Sequence, residues 1–145
     1  MPRFLFIDTR ARDKSVFGWI KENGAKKVWK IAPGSSGLIS SVSARMTPKE
    51  LAASEGICVV SGPGSFSSIR TGTLVANLLS RIFDLPLYEF SAEESDAGKI
   101  EVKNIKTRKA KEYVAPIYDR PPNVTAPAPL GSPGLRRTSP KDDKD

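Results

Sequence analysis

The stretch Gly56-Ile57-Cys58-Val59-Val60-Ser61-Gly62-Pro63-Gly64-Ser65-Phe66-Ser67-Ser68-Ile69-Arg70-Thr71-Gly72 constrains the fold more than any other part of the chain. Four consecutive apolar residues, Ile57 to Val60, predict a strand over 57–61 that is buried on both faces. Gly62-Pro63-Gly64 then forces a sharp turn, because proline fixes φ and glycine reaches conformations closed to other residues. Ser65 or Ser67 is suited to cap the helix that follows. Along 69–83, Val75, Leu78, Leu79 and Ile82 recur at i, i+3, i+4 and i+7, which predicts one buried helical face. Gly72, Ala76 and Ser80 fall four residues apart on the same helix. With Leu74, Leu78, Leu79 and Ile82 assigned to the sheet, this small row is left to receive another helix at close range.

A buried strand that turns into a helix is ordinary βα architecture. It is also a place where backbone N–H groups converge and favour an anion. Gly62, Gly64 and Ser65 are therefore vestigial phosphate-loop candidates. Asp8 and Thr9 join them at the end of the first strand, since a carboxylate there suits Mg²⁺ and a hydroxyl suits phosphate. Thr9 to Asp13 reads equally as a polar turn. Neither nucleotide-loop motif is complete: nothing like the P-loop lysine follows Gly64 or Gly72, and Ser67 stands where the dinucleotide fingerprint has its third glycine.

The chain has no histidine and a single cysteine in 145 residues. That excludes histidine general bases, Ser-His-Asp triads and structural zinc. No metal site or resident cofactor is expected. Cys58, placed in the buried strand, behaves as a small hydrophobe and fits a reducing compartment. The apolar run Phe4 to Ile7 is broken by Asp8, too soon for a signal peptide or a membrane span, so a soluble cytoplasmic protein is expected. The net charge of +7 is uneven. Residues 1–98 carry 12 basic and 10 acidic side chains, whereas Lys99, Lys103, Lys106, Arg108, Lys109 and Lys111 crowd a short stretch. Such a run is either a solvated face or a non-specific attractor of RNA phosphate.

Strands are expected over 3–8, 16–20 and 27–31, the last two joined at Asn23-Gly24, a strong hairpin signal. Pro33-Gly34 precedes a helix over 36–46 with an apolar stripe of Leu38, Ile39, Val42 and Met46. Thr47, Pro48 and Glu50 make a capping box for a second short helix. A strand over 86–90, a loop over 91–98, a basic strand through Ile100, Val102 and Ile105, and an apolar patch over 113–118 follow. The order implies an antiparallel meander joined to parallel βα units, an α/β protein. The expected organisation is a domain over 1–98, a short basic segment over 99–124 returning to it, and a disordered proline-rich tail over 125–145.

Phe6-Ile7-Asp8-Thr9 with Lys14-Ser15-Val16, then Gly62-Pro63-Gly64-Ser65-Phe66 with Ile69-Arg70 and Gly72, resemble the TsaB family. Leu85-Pro86-Leu87 with Ser91, and Ala115-Pro116-Ile117-Tyr118-Asp119-Arg120-Pro121-Pro122, extend the resemblance over 3–94 and, more loosely, 113–124. This family belongs to the actin-like, glycoprotease-like (Gcp-like) superfamily. The resemblance implies a ribonuclease-H-like, actin-like ATPase half-domain with a mixed sheet and flanking helices, the second half largely missing. It also implies a non-catalytic role in making threonylcarbamoyladenosine (t6A) in tRNA. The partners implied are a catalytic threonylcarbamoyl transferase subunit of the TsaD type and a small ATPase of the TsaE type. tRNA would be met indirectly, a homodimer is one option when the chain is alone, with the oligomeric state left open, and ATP would enter only within the assembled complex. Pairing through two helices makes Leu38, Ile39, Val42, Met46, Gly72, Ala76 and Ser80 the candidate partner-binding residues. Lys103, Lys106 and Lys109 are the candidates for tRNA contact. Two other readings stand beside this one: a small actin-like ATPase or peptidase-like enzyme using Asp8 and Thr9, and a basic RNA-binding module led by 99–111, although only Tyr113 there supplies a stacking ring.

Overall fold

Period-two alternation and unbroken apolar runs produce five strands, and a computed structural model describes them over residues 3–32 and 37–118. The expected tail over 125–145, residues 119–124 and Ser36 lie outside the described residues. The strands are β1 (Arg3–Asp8), β2 (Ser15–Lys21), β3 (Lys26–Ile31), β4 (Gly56–Gly62) and β5 (Leu87–Ser91). They form one sheet in the order β3-β2-β1-β4-β5. β1 pairs antiparallel with β2, and β2 with β3, while β1–β4 and β4–β5 are parallel. This is the mixed α/β arrangement the sequence implied. All seven residues of β4 are buried, as expected for a central strand with both faces covered.

Helices α1 (Leu38–Arg45), α2 (Pro48–Ala53) and α3 (Phe66–Phe83) cover one face. Leu38, Val42, Met46, Leu51, Val75, Ala76 and Leu79 join Leu5, Ile7, Phe17, Trp19, Ile57 and Val59 in one core there. The α2 capping box forms as expected, with Glu50 N–H donating to Thr47 Oγ1 at 3.0 Å and Thr47 N–H to Glu50 Oε1 at 2.9 Å. α3 begins after Ser65, whose side chain makes no capping bond.

The other face carries a smaller core of Phe4, Ile20, Cys58, Val60, Phe90, Ile100 and Ile105 beneath α4 (Ala92–Asp96) and α5 (Val102–Lys106). Two expectations are corrected here. The loop expected over 91–98 contains α4, nucleated by a second capping box in which Glu94 N–H donates to Ser91 Oγ and Ser91 N–H to Glu94 Oε1. The basic strand expected through Ile100, Val102 and Ile105 is instead the helical turn α5. Its Ile105 N–H donates to Glu101 O at 2.9 Å, so Ile100 and Ile105 reach the same core without alternation.

The orientation of α3 is also corrected. Ile69, Gly72, Thr73, Val75, Ala76 and Leu79 face the sheet, whereas Leu74, Leu78 and Ile82 are 58%, 44% and 65% exposed. The small row packs inward because it lets the helix lie close to β1. A Cβ on Gly72 would fall 2.0 Å from Thr9 Oγ1.

Gly72→Ala is therefore expected to destabilise the isolated chain by about 1–3 kcal/mol through overpacking against Thr9. Urea unfolding of the two proteins measures it. An unchanged midpoint would show that the helix can lift from the sheet at no cost.

Candidate functional site

The carboxyl ends of β1 and β4 meet at the point where the strand order reverses, the usual place for a ligand in an open α/β sheet. Asp8 and Gly62-Pro63-Gly64 lie there, beside a groove of about 530 Å³ that Arg10, Lys14 and Val16 also line. Asp8 and Arg10 are already engaged. Arg10 Nε sits 3.2 Å from Asp8 Oδ2, and its other nitrogens reach Asp96 Oδ1 at 2.7 Å and the Ala92 carbonyl at 2.9 Å. The Asp96 hydrogen bond, with the nearby Asp8 charge, raises the guanidinium above its ordinary pKa against the opposing cost of burial.

The turn's amides are committed as well. Gly64 N–H donates to the Ile117 carbonyl at 3.1 Å and Ser65 N–H to the Arg10 carbonyl at 2.9 Å. The glycines make room for the chain's own backbone. Gly62 has φ of +121°, and a Cβ there would fall 2.2 Å from Ile117 O; one on Gly64 would meet Arg10 Cβ at 2.6 Å. Thr9 is buried against α3 and its Oγ1 has no hydrogen-bond partner among the described residues. The phosphate reading of Asp8, Thr9, Gly62, Gly64 and Ser65 is thus corrected. Asp8 is neutralised by Arg10, the two amides point at carbonyls, and Thr9 is closed off by Gly72. These residues do not fit a nucleotide phosphate with its Mg²⁺.

What the turn does hold is the segment over 111–118, which runs back across the molecule. Lys111 N–H donates to Leu87 O at 2.7 Å and Ile117 N–H to Ser61 O at 2.8 Å. Between them the Asn77 side chain bonds the Val114 backbone in both directions, at 2.9 and 3.0 Å. Asn77 carried no signal in the sequence beyond being the one side-chain amide on α3. Arg10 was equally unmarked.

The partner-binding candidates divide. Leu38, Val42 and Met46 lie in the core, as do Gly72 and Ala76, while Ser80 Oγ donates to the Leu85 carbonyl at the end of α3. Ile39 alone of the set is strongly exposed, at 45%. The surface that α1 and α3 present is instead Ile39 with the row Leu74, Leu78 and Ile82. Bulk and spacing alone point this row toward the sheet; it faces outward because the small row Gly72 and Ala76 packs closer to β1.

The basic run divides too. Lys103, Lys106 and Lys109 are exposed, with Lys103 only 3.9 Å from Glu101. Arg108 instead turns inward, stacks 4.0 Å over the Phe90 ring and donates to the Glu89 carbonyl at 2.7 Å and to Glu94. Lys111 pairs with Glu89 at 3.1 Å. Among the described residues, no helix is long and apolar enough to cross a membrane.

No protein-family model matches the sequence, and no curated protein matches it. Solved structures do. A protein described as uncharacterised with similarity to peptidase YeaZ, from Pseudomonas aeruginosa, aligns with a TM-score of 0.53 and 22% identity over 63% of this chain and 44% of that one. YeaZ from Pseudomonas aeruginosa aligns with a TM-score of 0.48 and 20% identity, over 63% of this chain and 43% of that one. The first likeness shows the fold: an α/β, actin-like unit of the ribonuclease-H-like kind. The chain spans less than half the length of either neighbour.

The Arg108 hydrogen bond holds the Glu94 carboxyl below the ordinary carboxylate range, more strongly than burial raises it. A depressed carboxylate contributes stability above its unfolded pKa, about 4.3, and loses it as pH falls through the folded value. Wild type should accordingly lose stability more steeply than Glu94→Gln below about pH 4, the two curves converging in acid. Parallel urea midpoints between pH 7 and pH 3 would refute the clamp.

Proposed function

We propose that this chain is a non-catalytic subunit that supports threonylcarbamoyl transfer to adenosine in tRNA by docking on a catalytic, actin-like subunit in the cytoplasm. The observation that carries the reading is the exposed apolar row Leu74, Leu78 and Ile82 on α3, with Ile39 on the neighbouring α1. Spacing of four residues lines these side chains along one helix surface, the pattern by which one helix recognises another. Contiguous apolar surface of this kind marks an interaction site. The fold supports the same reading, since it is the fold of a protein with similarity to YeaZ, a name that belongs to the TsaB family.

The chemistry of these residues favours a supporting role over an enzymatic one. Asp8 is paired with Arg10, and the Cys58 thiol is buried and pushed far above its ordinary pKa by desolvation, which leaves it protonated and unreactive. Neither group is available as a base or nucleophile.

Leu74→Glu with Leu78→Glu should weaken binding to a TsaD-type catalytic subunit by about tenfold or more, because a docked apolar row tolerates buried charge poorly. Both positions are exposed, so circular dichroism and the thermal midpoint should stay near wild type. Calorimetric titration of the folded variant into the catalytic subunit decides the matter. Unchanged affinity would remove this face from the interface, and no binding by wild type would overturn the partner reading itself.

A further inference from the structure

The sheet has a second surface whose chemistry is distinct from the helical one. Along β3, Lys26, Val28 and Lys30 point to one side, while Lys27, Trp29 and Ile31 point to the other. The register places Lys26 opposite Ile20, Val28 opposite Gly18 and Lys30 opposite Val16. Ile20 is buried in the core that Ile100 and Ile105 complete, so this is the face on which α5 lies. Gly18 adds no side chain to it, Val28 is 42% exposed, and Phe6, next across the sheet, is only partly buried. Phe4 and Ile20 are covered, and the part of this face around Phe6, Gly18 and Val28 is left more open.

Its charge is mainly basic, although α4 on the same face carries Glu93, Glu94 and Asp96, of which Glu94 pairs with Arg108 and Asp96 with Arg10. Residues 14–30 hold five lysines against the single acid Glu22, and of the three on β3, Lys26 and Lys30 project from this face while Lys27 projects from the other. Averaging over residues 1–98 conceals this excess. Lys26, Lys30 and Lys106 make no ion pair among the described residues, and the Lys103 contact to Glu101 is loose at 3.9 Å. Two unpaired lysines about 13 Å apart on a strand thus share a sheet face with the lysines of α5. Lysines on an edge strand also deter stray strand pairing. That role does not call for a matching basic helix on the same face.

We infer that this face, built from Lys26, Val28 and Lys30 of β3 and Lys103 and Lys106 of α5, docks the phosphate backbone of a nucleic acid. The charge complementarity suits a polyanion with regularly repeated charges. The apolar side of the short helix α5 is turned into the core, so among the described residues no apolar helical face is left on this side to enter a lipid boundary. Trp29 faces the opposite way, and the partly buried Phe6 is the aromatic ring of β1 to β3 on this face, too enclosed to make a stacking platform, so bases are not stacked. Contact is through phosphate and indifferent to sequence. The inference does not rest on the partner-subunit reading, and its test uses this chain alone.

Fluorescence anisotropy with full-length chain and two labelled RNAs of unrelated sequence, over a salt series, provides the test. Four engaged lysines predict a slope of log K against log salt of about −3 for both RNAs. Lys26→Gln with Lys30→Gln should reduce affinity about tenfold at low salt and flatten the slope by about 1.5–2, and Lys103→Gln with Lys106→Gln should do the same. Arg45→Gln with Lys49→Gln removes equal charge beside the opposite face and should change affinity less than twofold. Equal losses in all three double variants would reduce the effect to net charge and overturn the site. Absence of RNA binding overturns it, as does preference for one RNA. Binding to phosphatidylserine vesicles with the same lysine dependence, but not to RNA, would assign the face to a membrane instead.

Discussion

The close approach of α3 to β1 organises the molecule. A helix can lie against a sheet at short range only where its contact residues are small, and here Gly72 and Ala76 fill that role while Val75, Leu79 and Ile69 flank them. Thr9 closes against the helix at Gly72, and β4 beneath it is buried at every residue. Because the small residues take the inner position, Leu74, Leu78 and Ile82 are left outside. One packing choice settles both the core and the apolar surface.

The same closeness explains why the glycine turn is not an anion site. Once α3 starts hard against the end of β4, the turn is too crowded for a ligand and just wide enough for backbone. Gly62 and Gly64 admit Ile117 and Arg10, and their neighbourhood satisfies its amides with those residues' carbonyls. Buried amides left unpaired would each cost about 1–3 kcal/mol, so the returning segment 111–118 completes the domain. The Asn77 side chain, bonded at both ends to Val114, and Arg108, held between Phe90 and Glu94, fix that segment from opposite sides of the sheet.

Two surfaces of opposite character result. The helical side is apolar and suited to another protein. The other side of the sheet carries the free lysines of β3 and α5, which outnumber its unpaired acids because Glu94 and Asp96 of α4 are held by Arg108 and Arg10, and it is suited to phosphate. Arg108 and Lys111 belong by sequence to the basic run, but their charges are neutralised within the fold. The available cations are therefore fewer than the run contains, and β3 supplies the others.

Much of the fold was legible in the residues themselves. The apolar run Ile57 to Val60 fixes a buried central strand, Asn23-Gly24 fixes a hairpin, and the Thr47 to Glu50 box starts a helix, since each depends on neighbours a few positions away. The Ser91 to Glu94 box was equally local and its signal was present. What could not be read locally was direction. Helical spacing shows that Leu74, Leu78 and Ile82 share a row and that Gly72 and Ala76 share another, but not which row turns toward the sheet. That is decided by how near a distant strand can come, and so by Thr9, 63 positions away from Gly72 in the chain. The same holds for Asp8, whose carboxylate looks available in sequence and is paired with Arg10 in the fold. Sequence alone determined the five strands and helices α1 to α3 in their order; tertiary packing decided which faces and charges remain free, because burial is a property of what lies opposite.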